Sequence, residues 1–334
     1  GKPIETIKEK NYFFKLSKYQ DRLVELIESD TYAITPLSAK NEALSFIKRG
    51  LEDFSISRSK ERARGWGVEV PGNSEQFMYV WFDALNVYRS AAPHYWPADL
   101  HIIGKDILRF HAVYWPAMLL SAGEKLPKAL FVHGFITSDG KKMSKSLGNV
   151  VDPVELVNTY GLDAVRYFLL AGIASDSDGD FSKERFEEKY TADLVNGLGN
   201  FAFRVLTLAQ KHGSFELDFE KADADIKKRI EDARDTSGQK IEKLAFHDAL
   251  FDIFELVRFG DGYLNDTKPW DSSVSEEEAK NVILQCLFIL EALASWLLVF
   301  LPETSAAIDA ALNRDGSTVS PVKPGKPFFA RLEN

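Results

Sequence analysis

The sequence predicts an α/β fold: a parallel sheet covered by helices, followed by an all-α helical bundle. Two patterns carry this expectation. In the first half, short apolar runs at 100–104 (Leu-His-Ile-Ile-Gly) and 130–133 (Leu-Phe-Val-His) alternate with helical stretches, as where helices join parallel strands. In the second half, Phe186, Tyr190, Leu194, Leu198, Phe201, Val205 and Leu208 recur at spacings of three and four, the apolar stripe of one long helix. The 334 residues allow about two or three domains. A 45% hydrophobic and 27% charged content is that of an ordinary globular chain, not a disordered one.

In chain order, residues 11–16 read as a strand and 18–29 as an amphipathic helix. A second helix at 38–50 ends at Gly50, the residue type that closes helices. Residues 65–71 and 76–82 read as two strands across a Pro71-Gly72-Asn73 turn. Strand 100–104 leads into a helix from Asp106 to about Ser121, and strand 130–133 delivers a glycine-punctuated loop at its carboxyl side. Ligands of parallel sheets bind beyond such carboxyl ends. After the first long helix, a second helical stretch covers about 223–266 and stops before Pro269; a third covers 275–301 and stops at Pro302. The Pro- and Gly-rich tail after Ser317 reads as extended. The expected segments are 1–55, the end of a connective insertion; 56–150, the sheet domain; 151–182, a linking α/β stretch; and 183–334, the bundle.

Charge and cysteine content narrow the function classes. With 41 Lys+Arg against 50 Asp+Glu the net charge is −9, so any RNA contact must use a local patch rather than a basic field. The single cysteine, Cys286, excludes an internal disulfide and a cysteine-based zinc knuckle. No zinc or other resident metal is expected, and a reducing, cytoplasmic location is. Residues 1–18 mix charge with aromatics and lack the apolar core of a signal peptide. The apolar run 282–302 invites comparison with a membrane span, but Glu291 sits inside it, at a cost of about 2–3 kcal/mol in a bilayer. Flanking Glu276, Glu277 and Glu278 supply no basic anchor. A buried bundle helix, with no membrane contact, is the expectation.

Residues 139–149 read Asp-Gly-Lys-Lys-Met-Ser-Lys-Ser-Leu-Gly-Asn. Gly140 and Gly148-Asn149 punctuate a loop carrying Lys142, Ser144, Lys145 and Ser146 within five residues. Such a loop can close two ammonium groups over a polyanion. It suits a triphosphate breaking between its α and β phosphates, where fixed cations stabilise the charge that builds on the leaving oxygens. By composition alone, a solvated charged turn is the alternative. Upstream, 79–88 ends a strand in aromatics and turns into a helix, while 103–117 (Ile-Gly-Lys-Asp-Ile-Leu-Arg-Phe-His-Ala-Val-Tyr-Trp-Pro-Ala) opens a helix behind a strand. Trp81, Tyr88, Phe110, His111 and Trp115 could wall a pocket for a flexible apolar group. A thioether there would gain about 0.3–1.5 kcal/mol from aromatic edges. Taken singly, these would be core aromatics, and His111 a structural histidine.

In this order, these segments resemble the class I aminoacyl-tRNA synthetases, and within them the methionyl-tRNA synthetases. The run Lys142-Met-Ser-Lys-Ser146 is the signature of the class. The pattern Ile-Gly-Lys-Asp-Ile-x-x-Phe-His-x-x-x-Trp-Pro-Ala from Ile103 separates this family from the leucine, isoleucine, valine and cysteine enzymes. The resemblance extends to about Pro302. It implies the second half of a nucleotide-binding, Rossmann-like catalytic domain followed by a helical anticodon-binding domain. It implies a methionine–tRNA ligase using methionine, ATP with Mg2+ as substrate, and tRNA(Met). Carried over, the pattern sets Trp81, Ala84, Tyr88, Ile107, Phe110, His111 and Trp115 around the methionine side chain, with the Tyr88 hydroxyl as polar contact to sulfur. Gly104 and Asp106 fall beside the ATP ribose, and His133 and Gly134 toward the adenosine side. Lys145 first and Lys142 second stabilise the transition state at the phosphates, with Ser144 in the same loop.

In the bundle, Asn196, Asn200 and Arg204 lie at i, i+4 and i+8, off the apolar stripe; spacing alone gives a solvated face. The resemblance makes Asn200 and Arg204 an anticodon-reading pair for a CAU anticodon and Trp270, behind Pro269, its stacking aromatic. A base stacked on an aromatic contributes about 1–3 kcal/mol. Asp176, Asp178, Asp180, Ser182 and Glu187 mimic a calcium loop, but Phe181 stands where the turn glycine is required, so an acidic turn and helix cap is expected.

One class feature has no counterpart. The His-x-Gly-His run that grips ATP phosphates in class I enzymes does not occur; His101-Ile-Ile-Gly104 is followed by Lys105. The chain is therefore expected to be the carboxyl portion of an enzyme, partnered by a missing amino-terminal half. A non-catalytic tRNA-binding module is the competing class, and a synthetase for another amino acid is a third reading.

Overall fold

The computed structural model describes residues 9–144, 146 and 148–332, which form two compact units, 1–135 and 136–334. In the first unit, Ala129–His133 lies between Ala33–Thr35 and Leu100–Gly104 in a three-stranded parallel sheet. Its register levels Gly104 with His133. Ile103, Leu130 and Val132 share one buried core with Leu108, Ala112, Val113, Leu23, Ile27, Ala43 and Ile47. The last four come from helices Gln20–Glu28 and Leu37–Lys48, close to the expected 18–29 and 38–50. Strand Ala33–Thr35 was not foreseen, because three residues with one buried side chain, Ile34, carry no readable alternation.

Three expectations need correction here. The strand at 11–16 shortens to Phe13–Phe14, followed by a 3-10 turn at Leu16–Tyr19. The strand expected at 76–82 is Asn73–Met78, paired with Glu69–Val70 and Ser57–Ser59. It stops at Met78 because Val80–Ala84 is helical, with Asp83 in its first turn where the helix dipole favours an anion. The helix expected from Asp106 to Ser121 is built in three pieces: a 3-10 turn at Lys105–Ile107, a π-helical turn at Phe110–Tyr114, and an α-helix at Trp115–Ala122. Single π turns of this kind are frequent at functional sites.

The second unit opens with a small sheet in which Ile136–Ser138 pairs parallel with Gly179–Phe181 and antiparallel with Lys141–Lys142. The helical run then spans Lys183–Lys189, a π segment at Tyr190–Gly199, and Asn200–His212. Phe186, Tyr190, Leu194, Leu198, Phe201 and Val205 are buried along it, as their spacing predicts. The stretch expected at 223–266 is two antiparallel helices, Ala224–Glu242 and Phe246–Thr267, with Lys240 Nζ 2.6 Å from Asp252 and Arg229 4.1 Å over the Phe259 ring. No Gly or Pro marks this reversal; Leu244 takes the left-handed φ of +60° instead.

Helix Glu276–Leu297 starts at a capping box made by Ser275 and Glu278. By length and composition it could cross a membrane. In this fold Ile283, Cys286, Leu287, Ile289, Leu290 and Leu293 are buried around its circumference, the pattern of a bundle-core helix. Pro302 does not end the helical region: Pro302–Leu312 is a further helix, with proline in the first turn where its missing N–H is not needed. The tail is partly ordered, since Thr318–Val319 pairs with Phe215–Glu216 and the Tyr190 hydroxyl donates to the Ala330 carbonyl at 2.7 Å.

Helices Asn200–His212 and Phe246–Thr267 approach closely at Gly260, where a Cβ would stand 2.6 Å from the Phe201 ring. Gly260→Ala should therefore destabilise the bundle by about 1–3 kcal/mol through overpacking, despite alanine's better helix propensity. An unchanged urea midpoint would contradict the close approach.

Candidate active site and RNA-binding site

The aromatic residues singled out in the sequence come together as a ring cluster in the first unit. Trp81 stacks on Phe110 with centroids 4.1 Å apart and planes at 15°. His111 meets Trp81 edge-on at 6.5 Å and Tyr88 at 5.6 Å, and Tyr88 tilts against Trp115 at 6.3 Å. His111 and Trp115 are buried, while Trp81, Tyr88 and Phe110 are half-buried, as the wall of a cleft would be. Ala84 is exposed at the end of its helix, and Ile107 packs into the sheet core. Two members escaped the sequence reading. The His101 ring lies 4.3 Å from that of Tyr88, and Trp96 lies 5.8 Å from Trp115. Strand alternation was the available signal: His101 and Ile103 are buried while Ile102 between them is exposed.

Hydrogen bonding fixes the protons of this cluster. His111 Nδ1 lies 3.0 Å from the Ile107 carbonyl oxygen, and Nε2 lies 2.7 Å from the Tyr88 hydroxyl. A carbonyl only accepts, so Nδ1 carries the proton, and Tyr88 donates to Nε2. Burial lowers the His111 pKa, opposed by the Ile107 carbonyl, and burial raises that of Tyr88. His101 is pushed down to about 4, first by burial and then by the neighbouring His111. The cluster is neutral at pH 7. The Tyr88 hydroxyl has one proton, directed at His111, and a thioether sulfur only accepts, so a hydrogen bond from Tyr88 to sulfur would have to share that proton.

Gly104 and His133 are register partners at the carboxyl ends of adjacent strands. A Cβ on Gly104 would stand 2.9 Å from Asp106 Oδ1 and 3.6 Å from His133 Cε1, so these three residues share one corner. His133 Nδ1 lies 2.9 Å from the Gly134 carbonyl oxygen.

In the second unit, the lysine run is not wholly a loop. Lys141–Lys142 is a strand that turns back on Ser138 and Thr137 through Asp139 and Gly140, whose φ values of +51° and +70° suit a two-residue hairpin turn. The loop begins at Met143, which packs partly buried on the bundle core. Lys142 is exposed, and the Ser144 and Ser146 hydroxyls are 3.2 Å apart. Lys145 lies outside the described residues. Ser182 caps helix Lys183–Lys189, accepting from the Arg185 N–H at 3.2 Å, as the cap reading expects. Among the described residues, no group of three His, Cys, Asp or Glu side chains is arranged to hold a metal ion.

In the bundle, Arg204 and Trp270 are brought together. The Arg204 guanidinium lies 5.1 Å from the centre of the Trp270 ring. Its fork donates to Asp261 at 2.9 Å and to Asn265 at 2.8 Å, and Asn265 in turn donates to Asp261 at 2.9 Å. Trp270 is 49% exposed, behind buried Pro269 and a left-handed Lys268. Asn200 is half-buried one turn before Arg204, and Asn196 is exposed. Sequence reasoning missed Asp261 and Asn265; a carboxylate and an amide at i and i+4 were the signal. A fixed guanidinium beside a half-exposed indole is a platform on which a base can stack.

The buried neutral histidines predict an acid response. The unfolded chain takes up a proton at the ordinary 6.5, but folded His101 resists until about 4. Its contribution is complete above pH 6.5 and is lost as pH falls toward 4, by up to about 3 kcal/mol. His101→Gln should flatten this part of the decline in urea titrations run across that range. An identical pH dependence in the variant would contradict a buried neutral His101.

Comparison with known proteins agrees with this geometry. Residues 1–206 match the family described as class I tRNA synthetases (M). The methionine–tRNA ligase of Brucella suis biovar 1 is 44% identical over 283 residues, covering 81% of this chain and 54% of that protein. That of Thermosynechococcus vestitus is 42% identical over 333 residues, covering 94% and 62%. Mycobacterium tuberculosis methionyl-tRNA synthetase bound by methionyl-adenylate superposes with a TM-score of 0.88 at 35% identity, over 96% of this chain and 69% of that one. The chain thus spans about half the length of the curated relatives it matches. By sequence and fold, the chain belongs to the methionyl-tRNA synthetase family of class I tRNA synthetases.

Proposed function

We propose that this chain is the carboxyl portion of a cytoplasmic methionine–tRNA ligase, working with an amino-terminal portion on methionine, Mg·ATP and tRNA(Met). The observation that supports this most is the uncharged aromatic cluster of Trp81, Phe110, His111 and Tyr88, a surface suited to a thioether side chain. Shape alone discriminates a methylene by only about 1–3 kcal/mol, so the Tyr88–His111 pair supplies the polar contact that selects sulfur over carbon. The methionine carboxylate attacks the α-phosphate of ATP, the α–β bond breaks, and pyrophosphate leaves. A terminal ribose hydroxyl of tRNA then attacks the aminoacyl carbonyl, and AMP leaves.

In this reading, Ala84, Ile107 and Trp115 complete the methionine site. Gly104, Asp106, His133 and Gly134 take the nucleoside, while Lys145, Lys142 and Ser144 face the phosphates and offset their growing charge. Asn200, Arg204, Pro269 and Trp270 in the 183–334 bundle read the anticodon, with Asp261 and Asn265 holding the guanidinium plane.

Methionine-dependent ATP–pyrophosphate exchange by the full-length protein tests the reading. Lys145→Ala should slow exchange at least about tenfold. Tyr88→Phe leaves His111 Nε2 without its donor, worth about 1–3 kcal/mol, and should raise the methionine KM roughly tenfold. Unchanged rates and KM would contradict these roles. Asp261→Ala should weaken tRNA(Met) binding and leave exchange intact. A full-length protein that binds tRNA(Met) through the Arg204–Trp270 platform yet catalyses no exchange would instead be a non-catalytic tRNA-binding module.

A further inference from the structure

We infer that Asp180 and Asn149 are positioning residues for the lysine run: two side-chain struts, outside the signature itself, that hold its hairpin and its neck. The inference rests on the activity proposed above, because it assigns the struts to delivery of Lys142 and the loop that follows.

Asp180 stands opposite Thr137 across a parallel strand pair, and Thr137 stands opposite Lys142 across the hairpin. The three residues form one row. A single carboxylate oxygen of Asp180 accepts from the Thr137 hydroxyl at 2.5 Å and from the Gly140 N–H at 2.8 Å. It therefore ties the middle strand to the turn from which the lysines depart. These donors, with Arg185 adding its charge, lower the Asp180 pKa, so the carboxylate stays ionised at neutral pH.

Asn149 closes the other end. Its carbonyl oxygen accepts from the Ser144 N–H at 2.9 Å, and its amide donates to the Lys142 carbonyl at 3.2 Å. One side chain thus bridges the residues that enter and leave the loop. Both flanking glycines, Gly140 and Gly148, hold positive φ values that few other residues adopt. A loop that must set ammonium groups against a transient charge loses rate when its geometry wanders, and a misplacement of about 1 Å can cost 100-fold.

Asp180→Ala, Asp180→Asn and Asn149→Ala in the full-length protein separate this role from a merely structural one. Asp180→Ala and Asn149→Ala should each lower kcat for pyrophosphate exchange roughly tenfold, with the methionine KM held within about twofold and the melting temperature unchanged. Asp180→Asn keeps an acceptor oxygen and should restore most of the rate. Trypsin should cut both alanine variants after the lysines of 141–145 several-fold faster than the parent, a readout independent of any activity. Unaltered cleavage, a wild-type kcat in Asp180→Ala, or Asp180→Asn as impaired as the alanine variant would each overturn the inference. Absence of exchange in the parent protein, with faster cleavage in the variants, would defeat the proposed activity and leave the struts standing.

Discussion

The parallel pairing that levels Gly104 with His133 is the constraint on which the first unit's site depends. It brings two strand ends together, so that Gly104, Asp106 and His133 share one corner, and it starts the helical segment carrying Phe110, His111 and Trp115 from a fixed point. The same register decides which face each strand residue takes. A one-residue slip would turn His101 and Ile103 outward and bring Ile102 in, removing His101 from its contact with Tyr88 and emptying the core at Ile103.

Within that frame the two kinds of site use charge in opposite ways. The aromatic cluster excludes it: His111 is held neutral between the Ile107 carbonyl and the Tyr88 hydroxyl, and its own carbonyl accepts from Tyr32 at 2.8 Å. An ion there would lose its hydration without a partner. The second unit displays charge and fixes it through short side-chain acceptors. Asp261 and Asn265 hold the Arg204 fork, while Asp180 and Asn149 hold the backbone around Lys142. Asp180 acts from one strand away, Asp261 and Asn265 from one helix away, and Asn149 from the far end of the same loop.

What could be read in advance follows from signal length. Strands 100–104 and 130–133 and the long stripe from Phe186 to Val205 were legible because apolar periodicity repeats enough times to exceed noise. The three-residue strand at Ala33–Thr35 repeats too little, and the reversal at Leu244 lacks the Gly or Pro that usually marks one. Pro302 was legible as a break and is one, since helix Glu276–Leu297 ends before it; that it also opens helix Pro302–Leu312 was not read. The π segments at Phe110–Tyr114 and Tyr190–Gly199 were not read, because the sequence there carries the same three-and-four apolar spacing as an α-helix. Residues of the site with a motif, such as Trp81, Arg204 and Lys142, were named from sequence. The supporting roles of His101, Asn149, Asp180, Asp261 and Asn265 were not read, because no motif assigns these side chains a partner.

The account's central claim is that the neutral His111–Tyr88 pair and the rings of Trp81 and Phe110 form the seat of a thioether side chain. A crystal structure of the full-length protein with methionine bound tests it most directly. The account predicts sulfur in van der Waals contact with Trp81, Phe110 and His111, with the Tyr88 to Nε2 hydrogen bond retained. Methionine seated away from these rings, or a His111 turned off the Ile107 carbonyl, would contradict it.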